Sequence, residues 1–70
     1  MELKKGRYRH YKNNCYIVIG TALHSETEEE MVVYSRENNT QLWVRPRKMF
    51  EEMVVVDGKS VPRFLYLGEG

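Results

Sequence analysis

Polar and apolar residues alternate in short runs along this chain. The clearest run is Gln41-Leu42-Trp43-Val44-Arg45, closed by Pro46 and followed by Arg47-Lys48-Met49-Phe50. Side chains alternate across a strand, so Leu42 and Val44 share one face while Gln41, Trp43 and Arg45 share the other. The pattern predicts a strand that turns Leu42 and Val44 into a core and presents a large flat aromatic beside a fixed positive charge. Pro46 fixes φ and has no N–H to donate, which suits the first position of a short helical turn over Arg47 to Phe50. Met49 and Phe50 are then placed to plug the end of a small barrel.

The rest of the chain reads as further strands. Arg7-Tyr8-Arg9-His10-Tyr11 alternates, with Tyr8 and His10 on one face, and Lys12-Asn13-Asn14 supplies a turn because asparagine tolerates the left-handed conformation. Cys15 to Leu23 is rich in β-branched and aromatic residues, as a central strand requires. Gly20 inside it predicts a bulge or bend. His24 to Glu30 lacks the apolar positions a docked helix needs and reads as a hairpin loop. Met31 to Ser35 follows as a strand, then an asparagine-rich turn over Arg36 to Thr40. Met53 to Val56 is a short strand, and Asp57-Gly58 is a strong two-residue hairpin signal. Lys59 to Leu67 returns as the last strand, in which Pro62 cannot sit mid-ladder, so full pairing is expected only from Arg63 onward.

About six short strands and one helical turn in 70 residues predict an all-β fold. Its economical closure is a small antiparallel SH3-like barrel, which removes most free sheet edges. A five-stranded oligonucleotide-binding-type barrel is the alternative, and it ordinarily wants a longer chain and an inter-strand helix. One domain is expected over residues 6–67, preceded by a flexible basic segment at residues 1–5 and followed by a frayed end at 68–70. A chain this short buries only about 60% of its unfolded surface. With one cysteine it has no internal disulfide, so its eight aromatics, five of them tyrosine, must carry the packing. No apolar run approaches the roughly 20 residues that span a bilayer, and Met1 to Lys5 is not followed by an apolar signal core. A cytoplasmic protein is the expectation.

The net charge of +1 provides no strong global attraction to nucleic acid. The distribution is less even, with Lys4, Lys5, Arg7, Arg9 and Lys12 at one end and Glu26, Glu28, Glu29 and Glu30 in one loop. Such a dipole can steer a partner without selecting it.

Three groups of residues are candidates for chemistry. His10 and His24, with Glu26, can be drawn as an acid/base or metal site, but their spacing fits no ligand motif and half-buried structural histidines are the simpler reading. No metal and no cofactor is expected. Cys15 begins an apolar strand and reads as a small hydrophobe rather than a nucleophile. Arg9, Arg45 and Arg63 each lie within two residues of a ring: Tyr8, Trp43 and Phe64. Brought together, these form a surface able to stack bases and hold phosphates, or to clamp an extended acidic or proline-bearing peptide. Ion pairing with Glu26, Glu51, Glu52 or Asp57 is the internal alternative. A non-catalytic binding module recognising a protein or peptide through Trp43, Tyr34 and Arg45, with Arg9 and Arg63, is the leading reading. A nucleic-acid-binding barrel comes second and a small enzyme using His10, His24 and Glu26 third. A homodimer that buries the Trp43 face is a further option.

Five blocks in order carry a family resemblance: Gly6 to Lys12, His24 to Thr27, Val32-Val33-Tyr34, Trp43 to Pro46 with Met49-Phe50, and Val61 to Phe64. Over residues 6 to about 66 the chain closely resembles the bacterial domain-of-unknown-function family 1653. The resemblance implies a small bacterial domain without an established activity. Asn13-Asn14, where glycine is common, and the short asparagine-rich Arg36 to Gln41 depart from the pattern at loop positions.

Overall fold

The computed structural model describes residues 3–37 and 40–69. Seven strands and one helical turn follow in order: β1 (Gly6–His10), β2 (Cys15–Leu23), β3 (Glu30–Arg36), β4 (Leu42–Pro46), α1 (Arg47–Phe50), β5 (Met53–Val56), β6 (Lys59–Pro62) and β7 (Phe64–Gly68). Five of them make one antiparallel sheet in the order β4-β3-β2-β1-β7, and β5 with β6 forms a separate hairpin. The fold is all-β with one short helix. The final strand, expected to be continuous, is broken at Arg63: Pro62 ends the pairing with β5, and Phe64 begins the pairing with β1.

Local signals act as their chemistry requires. Asn13 adopts φ 74°, and Asp57 and Gly58 adopt φ 51° and 78°, the paired positive angles of a type I′ turn. Val18 pairs with Tyr34 and Gly20 with Val33, which leaves Ile19 as the extra residue of a bulge. A second register shift separates Arg7 and Tyr8 along β7. There the chain comes close to itself: a Cβ on Gly6, which has φ 131°, would lie 2.3 Å from the Gly68 carbonyl oxygen. Pro46, with φ −54° and ψ 135°, caps α1 and still belongs to β4, one place before the first helical position expected from its fixed φ and missing N–H. The asparagine pair Asn38-Asn39, expected in a turn, lies outside the described residues, as do Met1, Glu2 and Gly70.

Register and pleat together place Tyr8, Tyr16, Val18, Val32, Tyr34, Trp43 and Arg45 on one face of the sheet. The core forms on this concave side from Tyr8, Val18, Val32, Tyr34, Phe50 and Phe64. Phe50, delivered by α1, stacks on Phe64 at 4.2 Å with the rings 6° apart, and Tyr8 meets it edge-on at 5.2 Å. Arg47 ties α1 to the start of β3 through Glu30 at 3.0 Å. Leu3 packs against the core, and Tyr8 donates from its hydroxyl to the Lys4 carbonyl at 2.6 Å.

The expected SH3-like closed barrel does not form: among the described residues no ladder joins β4 to β7, so both remain sheet edges. In a flat sheet of five strands those edges would stand roughly 19 Å apart at about 4.8 Å per step. Here the Arg45 guanidinium of one edge lies 5.4 Å from the ring of Phe64 on the other. The sheet therefore curls until its edges meet through side chains. Because that interior is filled by α1 and β7, the opposite face stays open. Leu42 is 54% and Val44 61% exposed, so the two residues expected to enter the core face outward. Met49 is exposed as well, and Phe50 alone plugs the end.

Candidate functional site

The site builds up from β4. Tyr34 of β3 is Trp43's partner across the ladder, and Val32 is Arg45's, which puts both β4 side chains at the rim of the concave face. Tyr34 is buried, at 7% exposure, whereas Trp43 is 49% exposed and takes part in no ring–ring contact among the described residues. Arg45 lies over Phe64 and points its Nε at the Tyr34 hydroxyl, 3.5 Å away. No carboxylate of the described residues pairs with it. Arg45 is thus a half-buried guanidinium over an aromatic ring, with donors left over among the described residues.

His10 occupies the same mouth. Its ring meets Phe64 at 4.9 Å, Tyr16 at 6.4 Å and Tyr11 at 4.5 Å. Its Nδ1 accepts the Lys12 backbone N–H at 3.2 Å, so the neutral ring presents N–H at Nε2. Burial, then the charges of Arg45, Arg63 and Lys12, hold the His10 pKa below its ordinary value. Arg63 stands where β6 gives way to β7. Its Nη2 binds Glu52 at 2.7 Å, while its Nε is buried without a hydrogen-bond partner.

The residues singled out in the sequence divide accordingly. Trp43, Tyr34, Arg45 and Arg63 gather around the mouth, with Tyr34 supplying only a hydroxyl and a wall. Arg9 does not join them: it alternates with Tyr8 and His10, and lines a groove of about 430 Å³ with His10, Tyr11, Lys59, Pro62 and Leu65, against the β5–β6 hairpin. The internal ion-pair reading holds for Arg63 with Glu52 and, beyond the candidate set, for Arg7 with Glu37 at 2.6 Å. His10, His24 and Glu26 do not assemble. His24 follows the far end of β2, a nine-residue strand whose near end pairs with β1 beside His10. That places the two histidines roughly 26–30 Å apart along the strand, at about 3.3 Å per residue. His24 Nδ1 accepts the N–H groups of Glu26 and Thr27 at 3.1 and 3.3 Å, closing the loop that Glu26 belongs to. Both histidines therefore bind backbone donors, a local task that the sequence alone does not distinguish from ligation.

His10 as a neighbour of Arg45 and Arg63 is what sequence reasoning missed. Thirty-five residues separate it from Arg45, and only the curl of the sheet brings them together; the one usable signal was its place on the Tyr8 face. Among the described residues no cluster of three or more His, Cys, Asp or Glu side chains is arranged to hold a metal ion. Likewise no helix among them is long and apolar enough to cross a membrane.

Comparison with known proteins agrees with this geometry without assigning it a role. No curated protein matches the chain. It is similar to the crystal structure of a DUF1653 protein from Bordetella bronchiseptica, with 34% identity and a TM-score of 0.87 over 97% of this chain and 91% of that one. The profile of the protein family of unknown function DUF1653 matches residues 6–66, nearly the whole described fold. This chain is a member of the DUF1653 family.

Proposed function

We propose that this domain is a non-catalytic interaction module of the bacterial cytoplasm, used in the manner of SH3-like small barrels, which takes a segment of a partner protein along β4. The observation that carries this reading is the state of Trp43 and Arg45: on an edge strand, a half-exposed indole stands two residues from a guanidinium, and among the described residues neither the indole has a ring partner nor the guanidinium a carboxylate partner. Aromatic and arginine side chains together are the commonest anchors of protein interfaces. An open edge offers unpaired backbone groups to an extended segment.

A nucleic-acid role is less well supported. Of the five basic residues near the N-terminus, Arg7 is paired with Glu37, and Lys4 and Lys12 lie over Tyr66 and Tyr11. Arg7 and Arg9 alternate with Tyr8 and so project from the face opposite Trp43. Charge and stacking platform are separated, whereas single-strand binding needs them along one groove.

The test is selection of binders from a random peptide display library, repeated on Trp43→Ala. Trp43 is outside the core, so the variant should keep the wild-type amide spectrum and stability to within about 1 kcal/mol, and lose the selected peptides by tenfold or more. Peptides held equally by both proteins would refute the reading.

A further inference from the structure

Resting on the reading of β4 as a docking edge, we infer the chemistry of what docks: an extended acidic segment of a partner protein, added antiparallel to β4, that sets a carboxylate against Arg45 and an apolar residue two positions away against Trp43. Three observations converge on the carboxylate. Arg45 has a ring beneath it and a hydroxyl beside it, and no acid among the described residues. Arg63 adds a second guanidinium near the same mouth, with its Nη2 held by Glu52 and its Nε enclosed by protein. His10 feels the charges of cations from three different segments: Lys12 from the turn after β1, Arg45 from β4 and Arg63 from the β6–β7 junction.

The groups packed on His10 from the remaining sides, Tyr11, Tyr16 and Phe64, are uncharged rings. Glu52 is bound to Arg63, and Asp57, Lys59 and Arg9 line the groove beside His10. Cations outnumber acids around this mouth, so it repels a cation and attracts an anion. The planar guanidinium of an arginine is suited to two parallel hydrogen bonds to a carboxylate, which are stronger than neutral ones.

Spacing determines the rest. Trp43 and Arg45 lie two residues apart on the same face, and a strand added to β4 places its own alternate residues opposite them. A ligand with an acidic residue and an apolar residue two apart satisfies both, while Leu42 and Val44 meet its other side chains on the convex face.

His10 reports occupancy. A carboxylate arriving at Arg45 offsets a charge that disfavours the imidazolium, so binding raises the His10 titration midpoint toward the ordinary histidine range. By linkage the complex tightens as pH falls through that titration.

The experiment is an NMR titration of the whole chain, following the Trp43 indole N–H and the His10 ring protons. The probe is an acetylated, amidated threonine-rich octapeptide carrying glutamate and leucine two positions apart. The controls are the same peptide with glutamine for glutamate, and a ten-nucleotide single-stranded RNA. The glutamate peptide should shift Trp43 and raise the His10 midpoint, and bind about tenfold or more tighter than the glutamine peptide, as expected for a charged hydrogen bond.

Arg45→Gln should erase the difference between the peptides, and Arg45→Lys should restore only part of it. Equal binding of the two peptides at Trp43, with His10 unmoved, overturns the acidic specificity and leaves the docking edge standing. A Trp43 signal that neither peptide moves overturns both. RNA that shifts Trp43 and His10 where the glutamate peptide does not replaces the proposal with a phosphate ligand. Should Arg45→Gln unfold, as its amide spectrum would reveal, the two-peptide comparison on the wild-type chain decides alone.

Discussion

The five-stranded sheet and the β5–β6 hairpin are built from similar residues and held in different ways. In the sheet, Phe64 of β7 touches the rings of His10, Tyr16, Tyr34 and Phe50 and lies under Arg45, so one side chain joins four strands and α1. The hairpin carries Met53, Val54, Val55 and Val56, as apolar a run as any in the chain, yet Val55 is 75% exposed and Met53 54%. What holds it is local: the type I′ turn at Asp57-Gly58, the four-pair ladder, and the anchor at Arg63, which bonds Glu52 through both backbone and side chain. An apolar run therefore contributes to stability only where something covers it. A two-stranded hairpin alone is marginal in water, so this one should open without the sheet.

The strongest way to break the contrast is Phe64→Ala. It should cost about 3–5 kcal/mol, read by urea denaturation, because a cavity opens where the sheet edges meet; for so small a domain that approaches the whole of its stability. A loss under about 1 kcal/mol would mean that the edges do not depend on Phe64.

Gly6→Ala comes next. Its Cβ would strike the Gly68 carbonyl from a positive φ, and strain plus overpacking should cost roughly 2–4 kcal/mol. Gly58→Ala provides the hairpin counterpart: φ is 78° but no atom lies within 4 Å of the added Cβ. Its cost should be about 1 kcal/mol, confined to the hairpin.

Acid sharpens the comparison from the side of the sheet. The folded-state pKa of His10 is depressed, so above about pH 6.5 both folded and unfolded chains carry it neutral and it contributes no pH dependence. As pH falls from there through the folded value, the unfolded chain takes the proton more readily and stability declines. His10→Phe should lack that part of the decline when thermal unfolding is followed between pH 7 and 4.

The smallest effect belongs to Val55→Thr, expected within about 0.5 kcal/mol because the side chain is already in water. Hydrogen exchange at low denaturant should show the β5 and β6 amides opening well before those of β2 and β3. Equal protection would erase the distinction between the two regions.

Most elements were legible in the sequence because their causes are local. Asn13 and Asp57-Gly58 mark turns through φ, Gly20 marks the bulge through its missing side chain, and Pro46 ends β4 through its missing N–H. The site was half legible. Trp43 and Arg45 stand out by type and spacing, and Arg63 by its neighbour Phe64. Arg9 did not belong with them because the pleat puts it on the other face. Leu42 and Val44 misled for a related reason: alternation says that a strand has two faces and is silent on which one is covered.

By itself, then, the sequence determined where the chain extends, where it turns and which side chains share a face, since these depend on φ preferences and a two-residue period. Only the tertiary structure decided that the sheet curls without closing, that the covered face is the one with Tyr34 and Trp43, and that Arg45 and His10 both pack on Phe64. Those outcomes rest on contacts between residues tens of positions apart. Their energies come from the packing of core side chains such as Phe50 against Phe64, a meeting that no local pattern encodes.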